Sequence, residues 1–179
     1  MDASSPRLTF WLTPATQEQE FFASLIRELA VRFDAPIFKP HLTLCDGGLE
    51  EEAACEVLAK VPARPTYELE VGSIEVSARF TKTLFVRFRP SNELNHLRRS
   101  VGAALELPDS ADFDPHLSLL YKEMDGAKKK ELRETIALPF ERVSFQGLAL
   151  IAHPVKITRR ADVEAWQVLA RRSLGGSSR

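Results

Sequence analysis

No apolar run in this chain approaches the roughly 20 residues a helix needs to cross a bilayer, so no membrane span is expected. The opening Met1-Asp2-Ala3-Ser4-Ser5-Pro6 lacks a basic segment followed by an apolar one, which makes a cytoplasmic location the default expectation. Cysteine is scarce. Cys45 and Cys55 cannot build a disulfide framework and read as two reduced, partly buried thiols. Charge of one sign is also missing: 24 Lys and Arg stand against 25 Asp and Glu, a net charge of −1. That balance argues against a protein that grips long nucleic acid through a broadly basic surface. It leaves room for a small anion met by a local field. Nor is there a Pro-, Gly- or Ser-rich linker, so the 179 residues, 44% apolar and 27% charged, read as one domain over 1–179, with 172–179 as a disordered tail.

What the chain does have is an echo. Pro40-His41-Leu42-Thr43-Leu44 returns 75 positions later as Pro115-His116-Leu117-Ser118-Leu119. Each copy places an imidazole two residues from a hydroxyl. In a strand those side chains share a face, about 6.5–7 Å apart. Two such ledges facing each other would hold two proton carriers and two hydroxyl donors around one tetrahedral anion. That is equipment for hydrolysing a phosphoester without a metal.

The repeat extends beyond the histidines. In the first unit, about 7–78, an apolar stretch Leu8–Leu12 is broken by Pro14. Thr16-Gln17-Glu18-Gln19 then reads as a capping box, ahead of Phe22, Leu25, Ile26, Leu29 and Phe33 at helical spacing. In the second, about 82–151, Thr83–Phe88 is the apolar stretch and Pro90 the break, and Ser91 can cap a helix carrying Leu94, Leu97, Val101 and Leu105. Pro14 to His41 is 27 positions and Pro90 to His116 is 26, so the copies stay in register. Helices are predicted over 49–60 and 126–137, each leading to a strand, 66–76 and 140–151, with a last strand near 164–170. The pattern predicts an α+β fold of two similar lobes, antiparallel sheet flanked by helices, with a central cleft on a pseudo-twofold axis that brings His41 and His116 together.

These paired motifs resemble the 2H phosphoesterase superfamily, and Pro115-His116-Leu117-Ser118-Leu119-Leu120-Tyr121 resembles its cyclic phosphodiesterase branch. The likeness spans roughly 8–170. It implies opening of ADP-ribose 1″,2″-cyclic phosphate to the 1″-phosphate and of nucleoside 2′,3′-cyclic phosphates to 2′-phosphates. It implies His41 and His116 as catalytic, Thr43 and Ser118 as phosphate-binding, and Tyr121, Trp11 and Phe80 as lining the site. Alternation alone points Tyr121 away from His116, so it reaches the cleft only if the strand ends or bulges near Leu120. No carboxylate or cysteine accompanies either histidine at ligand spacing, so no metal and no cofactor are expected.

The remaining candidates read plainly. His96 and His153 are taken as surface residues, Lys128–Lys130 as a solvated helix face, and Arg79, Lys82, Arg159 and Arg160 as possible contacts to distal phosphates. The expected partner is a small nucleotide cyclic phosphate, met by a monomer without a membrane. Two rival functions stay open: an RNA-end enzyme of the same superfamily, and a non-catalytic nucleotide-binding module.

Overall fold

A computed structural model of the chain describes residues 6–47, 50–109 and 112–175. The first unit contributes β1 (Arg7–Pro14), α1 (Thr16–Phe33), β2 (Leu42–Asp46), α2 (Glu51–Lys60) and β3 (Tyr67–Val76). After a 3₁₀ turn, Phe80–Lys82, the second contributes β4 (Leu84–Phe88), α3 (Asn92–Ala104), β5 (His116–Leu120), α4 (Gly126–Thr135) and β6 (Arg142–His153). A short α5 (Arg160–Glu164) and β7 (Gln167–Ser173) follow. Arg172 and Ser173 do not lie in a loose tail. They close β7, paired with Leu148 and Gly147, while 176–179 lie outside the described residues.

The two units exchange their third strands. β1 pairs with its own β2 and with β6 of the second unit, and β4 pairs with its own β5 and with β3 of the first. β2 meets β5 at Leu42↔Leu117, and β3 meets β6, so six antiparallel strands form a ring with β7 added on β6. The helices cross over as well: α1 lies against β5 and α3 against β2. This exchange explains why the halves need no linker, since each completes the other's sheet.

Period-two alternation divides the residues of β1. Leu8, Phe10 and Leu12 enter the main core with Phe22, Leu42, Phe88, Leu97 and Phe145, while Thr9 and Trp11 turn to the cleft. The start of α1 departs from the local pattern. Thr16 is the first helical residue and Ala15 the N-cap, without a side-chain cap. The turn is held by β6 instead, since Ala15 N–H donates to the Ser144 carbonyl (2.8 Å) and Ser144 N–H donates to the Glu18 carboxylate (3.3 Å). Ser91 does cap α3, accepting from Leu94 N–H at 3.3 Å.

Candidate active site

The bridge Leu42↔Leu117 lies at the centre of both motifs. In an antiparallel pair the residues either side of a bridge meet crosswise, which sets His41 toward Ser118 and Thr43 toward His116. Each motif strand then bulges at its fourth residue. β1 skips Leu44 of β2, passing from Trp11↔Thr43 to Phe10↔Cys45, and β4 skips Leu119 of β5, passing from Phe85↔Ser118 to Leu84↔Leu120. An extra residue reverses the alternation beyond it. The fifth residue after each histidine, Asp46 in one copy and Tyr121 in the other, therefore lies on the histidine face.

All four motif side chains, His41, Thr43, His116 and Ser118, line one cleft of about 190 Å³, together with Trp11 and Tyr121. The histidines are held alike. His41 Nδ1 lies 2.6 Å from the Lys39 carbonyl and His116 Nδ1 lies 2.7 Å from the Asp114 carbonyl, each two residues back. A carbonyl only accepts, so Nδ1 carries the proton and donates, leaving Nε2 as the nitrogen free to exchange protons. Burial holds His41 well below the ordinary histidine range, at about 4; the Lys39 hydrogen bond opposes this and His116 adds to it. Burial lowers His116 too, against the Asp114 hydrogen bond, with Lys82 and Arg87 pressing the same way and the Asp114 charge opposing.

The hydroxyls differ. Ser118 Oγ donates to the Thr81 carbonyl at 2.9 Å and interacts with the Tyr121 hydroxyl, whereas the Thr43 hydroxyl has no partner among the described residues. Burial raises the Tyr121 phenol far above its usual range, so it stays protonated and able to donate. Its ring stacks on Phe38 at 3.9 Å. Trp11 lies flat on the His41 imidazole, with centroids 3.6 Å apart and planes at 10°. Phe80 is not brought into the cleft. It sits in the 3₁₀ turn and packs behind Tyr121 at 6.1 Å, so it supports the wall without forming it.

Several cleft residues escaped the sequence reading, Trp166, His153 and Asp46 foremost. Trp166, immediately before the added strand, sets its ring edge against Trp11 (5.3 Å), His41 (5.8 Å) and Tyr121 (6.0 Å). His153 is no surface residue. It is 7% exposed at the end of β6, its Nδ1 2.8 Å from the Pro154 carbonyl and its Nε2 3.1 Å from Asp46 Oδ1. Aligning the two motifs five residues past the histidines would have flagged Asp46, but no local signal places His153 beside it. The cations expected near distal phosphates are committed elsewhere or lie off the cleft: Lys82 to Asp114, Arg159 to Asp162, Arg160 to Asp34, and Arg79 outside the lining. Among the described residues, no three His, Cys, Asp or Glu side chains cluster closely enough to hold a metal ion, and no helix is long and apolar enough to cross a membrane.

The sequence profile of the 2'-5' RNA ligase superfamily matches residues 14–156, a span that includes both histidine motifs. The chain belongs to that superfamily. It is the two-histidine phosphoesterase group that the duplicated Pro-His motif resembled. Proteins similar to this chain include a cyclic phosphodiesterase of Arabidopsis thaliana, 23% identical over 89% of this chain and 91% of the relative. A 2',3'-cyclic-nucleotide 3'-phosphodiesterase of Kluyveromyces lactis is 26% identical over 72% of each. The fold is that of E. coli LigT, solved with 3'-AMP: TM-score 0.59 and 17% identity, covering 97% of this chain and all of the other.

Proposed function

We propose that the protein hydrolyses cyclic phosphodiesters of nucleotides without a metal, opening ADP-ribose 1″,2″-cyclic phosphate and nucleoside 2′,3′-cyclic phosphates. The observation that carries this reading is the pair of imidazoles, each pinned at Nδ1 by a carbonyl and each turned toward one cleft with a hydroxyl from the opposite motif. His116 is the more exposed of the two and activates water. Its Nε2 takes a proton as the water oxygen bonds to phosphorus. His41, sealed by Trp11 and Trp166, enters protonated and delivers its Nε2 proton to the departing oxygen, O3′ of a 2′,3′-ring or O2″ of a 1″,2″-ring. Burial makes His41⁺ a strong acid, and the substrate's negative charge favours the protonated ring once bound. Thr43 and Ser118 supply hydroxyls to the non-bridging oxygens, where charge accumulates. The aromatic end of the cleft, Trp11, Trp166 and Tyr121, offers rings to a base.

A second reading, an enzyme acting on RNA ends, draws on a neighbouring groove of about 930 Å³ that begins at Trp11. Arg27, Lys39 and Arg171 line it, and none has an ion-pair partner among the described residues. One assay separates the readings: purified protein in EDTA against ADP-ribose 1″,2″-cyclic phosphate, the four nucleoside 2′,3′-cyclic phosphates and a cyclic-phosphate-ended RNA. Fast turnover of the small substrates supports the first reading. A clear preference for RNA with steep salt dependence supports the second. Loss of activity in EDTA that zinc restores, or binding without turnover on every substrate, overturns both.

A further inference from the structure

Behind His116, and not behind His41, lies a closed set of charges. Lys82, from the 3₁₀ turn, and Arg87, on β4, both hold the Asp114 carboxylate, Arg87 at 2.5 Å. Arg87 is anchored in turn by Glu75 of β3 through two contacts, at 2.8 and 2.9 Å. Arg87 is also the cross-strand partner of His116. Lys82 Nζ stands 4.3 Å from the Phe85 ring centroid, and that ring meets the His116 imidazole edge-on at 5.4 Å. Asp114 joins this set to the histidine, since its carbonyl accepts the His116 Nδ1–H hydrogen bond while its carboxylate is gripped from two sides.

We propose that Lys82, Arg87 and Asp114 form a charge clamp that orients His116 and sets the field in which it exchanges its proton. The clamp members are positioning residues, because none of them lines the cleft. The charged or titratable groups facing His116 are Lys82, Asp114, Arg87 with Glu75 behind it, and His41 across the cleft. The first two act in opposite senses. Lys82 disfavours a second proton on the ring and Asp114 favours it, so removing one or the other must move His116 in opposite directions. Purely structural support would not separate the two by sign.

This inference rests on the proposed two-histidine chemistry for its functional meaning, but its test does not need turnover. NMR titration of the imidazole Cε1–H resonances of Lys82→Met and Asp114→Asn, assigned with His41→Gln and His116→Gln variants, reads each ring separately. The His116 midpoint should rise in Lys82→Met and fall in Asp114→Asn, each by about half a pH unit or more, with His41 moving much less. The matching limb of kcat/KM for a nucleoside 2′,3′-cyclic phosphate should follow. Shifts of the same sign, or none beyond about 0.2 unit, overturn the clamp. A protein that titrates as described yet turns over no cyclic phosphate leaves the clamp standing and removes the proposed function. Lys82→Met carries the test alone if Asp114→Asn fails to fold.

Discussion

The two halves of the cleft begin from the same five residues and end as different environments. The first histidine lies in an apolar box, with Trp11 flat against its ring and Trp166 edge-on, and its Coulombic neighbour is the other histidine. The second has Phe85 at the position matching Trp11, turned edge-on, with Lys82, Arg87 and Asp114 behind it. Five residues on, the first ledge ends in Asp46, paired with His153, and the second in Tyr121, stacked on Phe38. β7, which follows Trp166 and is added on β6, has no counterpart on the matching β3 among the described residues. Duplication supplied two equivalent proton carriers, and their surroundings made them unequal. An acid–base pair requires that inequality, because one ring must lose a proton while the other gains one.

The largest effect should come from removing either ring. His41→Ala and His116→Ala should each lower kcat by about 10²–10⁴-fold, and the double variant should cost far less than the product. Near-full turnover in both single variants would end the mechanism. The hydroxyls come next. Thr43 has no partner among the described residues whereas Ser118 already donates to Thr81, so Thr43→Val should cost about 10²-fold and Ser118→Ala distinctly less. Equal losses would show that the two ledges treat the phosphate alike.

A smaller effect tests the box. With both histidines held below 6.5, kcat/KM should be bell-shaped with its maximum on the acid side of that value. Trp11→Ala should admit water to His41 and move the acidic limb up from about 4 toward the ordinary range. An unmoved limb would mean that the stacked indole does not set the first ledge apart. The smallest effect is on stability. As pH falls from 6.5 to 4 the unfolded chain binds a proton that the native His41 refuses, so stability is retained above 6.5 and lost on the way down. The loss should be of order 2–3 kcal/mol from this group. It should appear as a falling Tm that flattens in His41→Gln.

Much of this was legible in the chain because it is written in short-range pattern. Apolar stretches, helical spacing and two proline breaks located eleven of the twelve helices and strands to within a few residues, the short α5 being the one left out. Other features had no local signature. The capping box at Thr16 was overruled by the main chain of β6, 126 positions away in the Glu18–Ser144 contact. The tail expected at 172–173 was claimed by free hydrogen-bonding groups along β6. His153 looked exposed beside a proline and was buried by a strand pairing that its neighbours do not announce.

The sequence by itself determined the duplicated Pro-His ledges, the two units that carry them and the superfamily to which they belong, because side-chain periodicity and motif spacing are properties of neighbouring residues. The tertiary structure alone decided the exchange of third strands, the bulges that turn Asp46 and Tyr121 inward and the unlike fields around His41 and His116. Those depend on which distant backbone groups find one another and which charges are left out of water beside them. Pairing and desolvation are fixed only when the whole chain has closed.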